Sequence, residues 1–101
     1  HANMGNSNIY QSQNLWDATM AFRISEYTRK KPGYKVLQLN GRFHSDERLG
    51  TAAQLARYAP GLNILVISCF SDASFAQPHW EGFNGLGDYI IVTDPALPRS
   101  Y

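Results

Sequence analysis

Apolar residues recur at helical spacing in the first third of the chain. They follow one another at steps of four and three positions: Trp16, Met20, Ile24 and Tyr27. This spacing predicts one apolar face of a helix that begins near Gln13. The basic residues 29–31 suit the negative end of a helix dipole, and Pro32-Gly33 should end the helix. Residues 1–12 are rich in Asn, Ser and Gly without periodicity, so we expect a loop there.

Three later stretches have the composition of β-strands: residues 34–40, 62–70 and 89–93. The last two are almost continuously apolar, which is typical of strands covered on both faces. Between the first two, Thr51 and Gln54 have the spacing of a capping box. This predicts a helix that begins at Thr51 and ends at Pro60-Gly61. Residues 71–87 are expected to form a polar loop.

The resulting order is helix, strand, helix, strand, long loop, strand. It predicts an α/β fold with a layered, mainly parallel β-sheet and flanking helices. Residues 34–70 would form a right-handed strand–helix–strand unit. Because two helices cover both faces of a three-stranded sheet poorly, we expect the 101 residues to be part of a larger α/β domain or to pair with another chain.

Composition narrows the function classes. A length of 101 residues allows one compact domain at most, and a hydrophobic content of 44% is sufficient for a core. The formal charge of +1, with no basic stripe, argues against nucleic acid as a partner. The single cysteine, Cys69, excludes an internal disulfide and a Cys-rich zinc site, and we expect it to be a small core residue.

The predicted topology gathers polar side chains at one edge of the sheet. His44 directly follows strand 34–40, and ligands of parallel α/β sheets bind outside the carboxyl ends of the strands. The first helix should run antiparallel to that strand, so its beginning, with Asp17, returns to the same edge. The N-terminus of the helix at Thr51 also points there. The set expected at this edge is Tyr10, Gln13, Asn14, Asp17, His44, Asp72, His79 and Trp80.

Each of these residues also has a structural interpretation. A lone loop histidine is more often a surface or capping residue, and Asp17 can simply complement the helix dipole. Tyr10 and the pair His79-Trp80 can serve packing alone. The sequence contains no zinc-ligand spacing, no Gly-x-Ser-x-Gly elbow and no Gly-rich phosphate loop. Spacing alone therefore predicts an α/β pocket with a histidine at its mouth.

Two stretches together resemble a known family. QSQNLWDATMAFRI, residues 11–24, and LQLNGRFHSDERLGTAAQL, residues 37–55, are similar to the second half of the ChaN-like haem-binding uptake family. That family belongs to the wider TIKI and erythromycin-esterase superfamily. The positions that match its pattern are Gln13, Asp17, Met20, Ala21, Asn40, Gly41, Phe43, His44, Ser45, Leu49, Gly50 and Thr51. The closing DYIIVTDP, residues 88–95, also resembles the end of the family.

The resemblance implies a domain organisation. The superfamily carries two Gly-x-x-His motifs, of which Gly41 to His44 matches the second. The first motif, accompanied by an acidic residue, lies well upstream and is absent from this chain. Residues 1–101 are therefore expected to be the C-terminal portion of a single ChaN-like α/β domain. The missing N-terminal half of that domain would be a partner of this piece.

The resemblance further implies haem binding for bacterial iron uptake, with haem held at the carboxyl edge of the sheet. The expected protein is a lipoprotein of the bacterial periplasm or outer membrane, anchored through an upstream segment. Its expected partners are a second copy in a dimer and an outer-membrane haem receptor. The residues expected to contact haem are Tyr10, Gln13, Asp17, Gly41, Phe43, His44 and Ser45.

Two chemical roles remain open at this stage. Tyr10 is the candidate iron ligand, because a phenolate oxygen suits ferric haem, with His1 and Met4 as lesser candidates. His44 is then expected to hydrogen-bond to haem rather than to bind its iron. One alternative is a pocket that retains the fold but binds another ligand. The other is a hydrolase of the TIKI and erythromycin-esterase type. In that case His44 would be a general base or the ligand of a divalent metal, oriented by Asp17.

Overall fold

A computed structural model describes residues 2–98 and 100, with side chains described from Gln11 onward. Its helices and strands follow in the order α1 (Ala2–Lys30), α2 (Thr51–Tyr58), β1 (Ile67–Ser71), α3 (Trp80–Phe83) and β2 (Tyr89–Thr93). Two 3₁₀ turns, Arg42–His44 and Asp46–Arg48, lie between α1 and α2. None of the helices in this described part of the chain combines the length and apolar character needed to cross a bilayer.

Helix α1 confirms the predicted helix but begins much earlier. It starts at Ala2, so the loop expected over residues 1–12 is wrong for residues 2–12. Apolar periodicity detects only the part of a helix that packs on a core, whereas an existing helix extends by one hydrogen bond per added residue. The predicted end is confirmed, since α1 stops at Lys30 and Gly33 adopts a φ of 90°.

Helix α2 packs on α1 and supplies two of the four buried apolar side chains in the described part of the chain. Ala52 and Leu55 from α2 are buried together with Ala21 from α1. The predicted start at Thr51 is confirmed, but the capping box is wrong. The N-cap residue is Gly50, and no side chain caps the helix. The Thr51 hydroxyl lies one position too far into the helix for that role and hydrogen-bonds elsewhere.

The sheet is smaller than predicted. Strands β1 and β2 pair in parallel, from Ile67 opposite Tyr89 to Ser71 opposite Thr93. The bounds 89–93 are confirmed, whereas the predicted strand 62–70 is reduced to β1. Residues 34–40 form neither helix nor strand in the described structure, so the predicted strand–helix–strand unit is absent. Strand-like composition is not sufficient, because a strand also needs a neighbour that completes its hydrogen-bond ladder.

The two faces of the β1–β2 sheet differ in exposure. Ser68 and Phe70 lie on one face, where Ser68 is buried and the ring of Phe70 packs edge-on against Phe83 of α3. The other face carries Ile67, Cys69, Tyr89 and Ile91, all of which are exposed. The prediction that Cys69 is a core residue is therefore wrong, since alternate side chains of a strand point to opposite faces. Helices with a small parallel sheet confirm the α/β class.

Candidate functional site

A buried carboxylate joins three separate stretches of the chain. Asp17, on α1, is only 4% exposed. Its Oδ1 lies 2.5 Å from Nδ1 of His44 and accepts a hydrogen bond of 3.1 Å from the Thr51 hydroxyl. Buried carboxylates need such donors to offset the loss of water. The predicted proximity of Asp17, His44 and the beginning of α2 is therefore present in the structure, although the sheet that was used to derive it is not.

The contact with Asp17 determines which side of the His44 ring is available. An ionised carboxylate can only accept hydrogen bonds, so Nδ1 of His44 carries the proton between them. The Nε2 atom is then the ring nitrogen that remains for a ligand. The His44 side chain is 18% exposed, so only a small part of the ring is accessible.

Gly50 allows the loop to approach Asp17 closely. It has a φ of 58°, and a Cβ atom built on it would lie 2.8 Å from the His44 carbonyl oxygen and 2.9 Å from Oδ2 of Asp17. A side chain at this position would collide with both partners of the Asp17–His44 pair, and the left-handed backbone would be strained as well. The Gly-Thr pair that starts α2 is thus also part of the histidine site.

An open groove of about 550 Å³ lies beside His44. Its lining is mostly apolar and comprises Leu15, Trp16, Thr19, Met20, Leu39, Asn40, Gly41 and His44. One wall is α1 and the other is the segment 39–44. The Gln38 amide, which lies 3.2 Å from the Met20 sulfur, connects the two walls. The volume falls within the range of roughly 300–1,000 Å³ that is usual for small-molecule sites.

The groove was not foreseen as such from the sequence. Apolar periodicity placed Trp16 and Met20 on a buried helix face, but Trp16 is 57% exposed and Leu15, on the same turn, is 66% exposed. Leu39, expected in a strand, is 82% exposed. The signal that could have indicated the groove is the width of the apolar surface of α1, which extends beyond the stripe that α2 can cover.

The residues expected at the site are distributed unevenly. Gly41 and His44 line the groove, whereas Phe43 points outward and is 86% exposed. Gln13 and Ser45 are close in sequence to Asp17 and His44, and both are half-buried. Neither of them lines the groove. The side chains of Tyr10, His1 and Met4 lie outside the described residues. Their proposed roles therefore stay predictions.

The loop after β1 forms a separate cluster. Asp72 accepts hydrogen bonds from the backbone and hydroxyl of Ser74, which lower the pKa of its carboxyl group, and nearby His79 lowers it further. His79 and Trp80 stand at the beginning of the short helix α3 and are exposed. None of these residues lines the groove at His44. The expectation that they share one edge with His44 thus has no contact to support it among the described side chains.

The described residues do not assemble a metal site from the usual ligands. No group of three or more His, Cys, Asp and Glu side chains in that part of the chain is placed to hold a metal ion. The candidate site therefore consists of an apolar groove with one oriented imidazole.

Comparison with known proteins adds one match. A family model described as "Haem-binding uptake, Tiki superfamily, ChaN" matches residues 1–55. This stretch contains α1, both walls of the groove and the complete Asp17–His44–Thr51 cluster. No curated protein and no solved structure matches the chain.

Proposed function

Because the chain belongs to the haem-binding uptake (ChaN) family of the Tiki superfamily, as its sequence predicted, we propose that it binds haem for bacterial iron uptake in the groove beside His44. The observation that supports this most directly is the combination of an open apolar groove with a carboxylate-oriented histidine. Both lie within the residues that match the family.

The groove fits the chemistry of haem. A porphyrin is a flat, largely apolar plate with charged propionates at one edge and a central iron. Leu15, Trp16 and Leu39 present large exposed apolar surfaces in the groove that a plate could cover. Fully burying one such side chain contributes about 1.5–3 kcal/mol, before the costs of binding. The three together outweigh a single charge-assisted hydrogen bond of about 1.5–3 kcal/mol.

His44 would then contribute orientation and moderate affinity. When both ring nitrogens are protonated, Nδ1 donates to Asp17 and Nε2 can donate to a propionate. Iron ligation falls to Tyr10 in this proposal, and a phenolate supplies a hard oxygen for ferric iron. Gly41 adds a proposed contact within the groove, whereas Gln13, Phe43 and Ser45 lie outside its lining and would contact haem only where the plate extends past the groove.

The surroundings of the sheet support the proposed assembly. The exposed apolar face of β1 and β2, together with the exposed side chains of residues 34–40, would be covered by the upstream half of the same domain or by a second copy. Parallel sheets normally have both faces covered. A lipid-anchored position in the periplasm or outer membrane, beside a haem receptor, is the setting that the family suggests for this function.

A hemin titration of the protein and two matched variants tests the proposal. Trp16→Ala removes the largest apolar side chain of the groove and should weaken binding about tenfold or more, followed by absorbance of the haem band. Tyr27→Ala is the control, since Tyr27 is another exposed aromatic of α1 that lies outside the groove, against Tyr34. Equal loss in both variants, or no binding by the wild type, would contradict the proposal.

One observation favours a hydrolase as the second candidate. The chain of contacts from Thr51 to Asp17 to His44 is the arrangement that orients an imidazole as a general base. In this case Nε2 of His44 would accept a proton from water. His44→Gln should then abolish hydrolysis of a chromogenic ester, while Trp16→Ala should retain it. A wild type that hydrolyses the ester and binds no hemin would favour this candidate.

A further inference from the structure

The loop that carries His44 has a backbone conformation that needs support. Glu47 and Arg48 adopt φ angles of 60° and 58°, so two consecutive residues with side chains lie in the left-handed region. Residues other than glycine are strained there and persist only where their surroundings hold them. The two residues stand between His44 and the start of α2, where the chain turns back towards Asp17.

Arg48 makes several of the contacts that hold this turn. Its guanidinium donates to the Ile64 carbonyl oxygen at 3.1 Å and to the Asp88 carboxylate at 2.7 and 2.5 Å. The same carboxylate accepts a hydrogen bond of 2.8 Å from the backbone N–H of Val66. Ile64 precedes β1 and Asp88 precedes β2, so one side chain connects the loop to the beginnings of both strands.

The two residues before Arg48 are attached, like Arg48, to the sheet region, residues 64–93 with β1 and β2. The backbone N–H of Glu47 donates to the Leu86 carbonyl oxygen at 2.8 Å, and the buried Ser68 hydroxyl donates to Asp46 at 2.6 Å. Residues 46–48 are therefore held by the sheet region, while His44 is held by Asp17 on α1. The loop spans the space between the sheet region and the helices.

We propose that Arg48 is a positioning residue for His44: by holding the strained turn against Ile64 and Asp88, it keeps the imidazole in place against Asp17 and beside the groove. Arg48 does not line the groove, so its effect on a ligand passes through the loop. The part of this proposal that concerns haem rests on the proposed function. The part that concerns the His44–Asp17 contact does not.

The contact can be measured without haem by NMR of the histidine side chains. His44 is assigned by comparison with His44→Gln, and its Nδ1 proton should give a slowly exchanging downfield signal in the wild type. Arg48→Ala should remove that signal, and Asp88→Asn should weaken it. Asp88 is expected to act on His44 through Arg48. The double variant should therefore lack the His44 signal, as Arg48→Ala does, and should have the same hemin Kd as Arg48→Ala. Arg23→Ala is the control, because among the described side chains its guanidinium makes only an exposed pair of 3.4 Å with Glu26.

Hemin titration provides the second readout. Arg48→Ala should raise the hemin Kd by up to about tenfold, the low end of the loss expected when the His44 hydrogen bond itself is removed. An unchanged His44 signal in an Arg48→Ala variant whose circular dichroism remains helical would overturn the proposal. A hemin Kd of the double variant raised by the product of the two single effects would overturn it as well. If Arg48→Ala fails to fold, Asp88→Asn alone tests the proposal: a weakened His44 signal supports it, and an unchanged signal overturns it. Failure of the wild type to bind hemin would overturn the haem function but not the positioning role.

Discussion

The helical region, residues 2–58 with α1, α2 and the segment between them, and the sheet region differ in how they bury their side chains. In the helical region, α1 and α2 enclose a polar cluster, with Ala21, Ala52 and Leu55 buried around Asp17 and Thr51. In the sheet region, one face is packed and the other exposes Ile67, Tyr89 and Ile91. The helical region contains the whole candidate site and most of the family match, whereas the sheet region supports the His44 loop from behind. The comparison indicates that the groove and the Asp17–His44 contact are formed within residues 15–51, whereas the sheet leaves one apolar face exposed.

The largest expected effect tests how closely the His44 loop approaches Asp17. Gly50→Ala should destabilise the protein by about 2–6 kcal/mol, because backbone strain and overpacking against His44 and Asp17 each cost about 1–3 kcal/mol. Gly61→Ala is the matched control: a Cβ there meets nothing within 4 Å, and its effect should stay within about 0.5 kcal/mol. Urea unfolding measures both. Equal stability of the two variants would show that the loop does not approach Asp17 this closely.

The next prediction separates the two roles assigned to haem contacts. His44→Ala should weaken hemin binding by about one to two orders of magnitude, the equivalent of a charge-assisted hydrogen bond of roughly 1.5–3 kcal/mol. It should leave the spectrum of the iron nearly unchanged, whereas Tyr10→Phe should alter that spectrum because it removes the phenolate oxygen. Absorbance titrations of both variants measure affinity and spectrum together. A spectral change in His44→Ala alone would reverse the two assignments.

Substitutions on the exposed sheet face should change the free energy of unfolding less than Gly50→Ala does. Ile91 is 49% exposed, so Ile91→Ser should change the free energy of unfolding by less than about 1 kcal/mol. If a second copy covers this face, the same substitution should lower self-association, measured by sedimentation velocity over a range of concentrations. Val92→Ser, on the packed face, is the comparison and should destabilise the chain more than Ile91→Ser does. A monomeric wild type would argue against cover by a second copy.

The smallest expected effect concerns how protein stability depends on pH through Asp88, which accepts hydrogen bonds from Arg48 and Val66. Hydrogen bonds from Arg48 and from the Val66 backbone lower the pKa of Asp88 below its ordinary value of 3.8. The unfolded chain therefore binds a proton at higher pH than the folded chain does. The resulting stabilisation is complete above about pH 3.8 and is lost as the pH falls through the lower folded value. Asp88→Asn should remove this dependence, measured as Tm between about pH 2 and 6, and high salt should reduce it because the pair is exposed.

Several features followed from sequence patterns alone. The end of α1 at Pro32-Gly33, the start of α2 at Thr51 and the bounds of β2 were all predicted, because proline, glycine and apolar runs act locally on the backbone. The family was also recognisable, since its motif residues lie close together between Gln13 and Thr51. The meeting of Asp17 with His44 was anticipated from chain order, through a strand that the structure does not contain.

The sequence by itself determined where several helices and strands begin or end, the α/β class and the family. These features depend on neighbouring residues and on motif identity. Only the tertiary structure decided that Thr51 binds Asp17 instead of capping its helix, and that residues 34–40 have no ladder partner in the described part of the chain. It also decided that Arg48 connects the His44 loop to Asp88, forty positions away. The reason is physical: a hydroxyl, a strand edge or a guanidinium can satisfy its hydrogen bonds in several ways, and which partner it finds depends on groups that are distant in the chain.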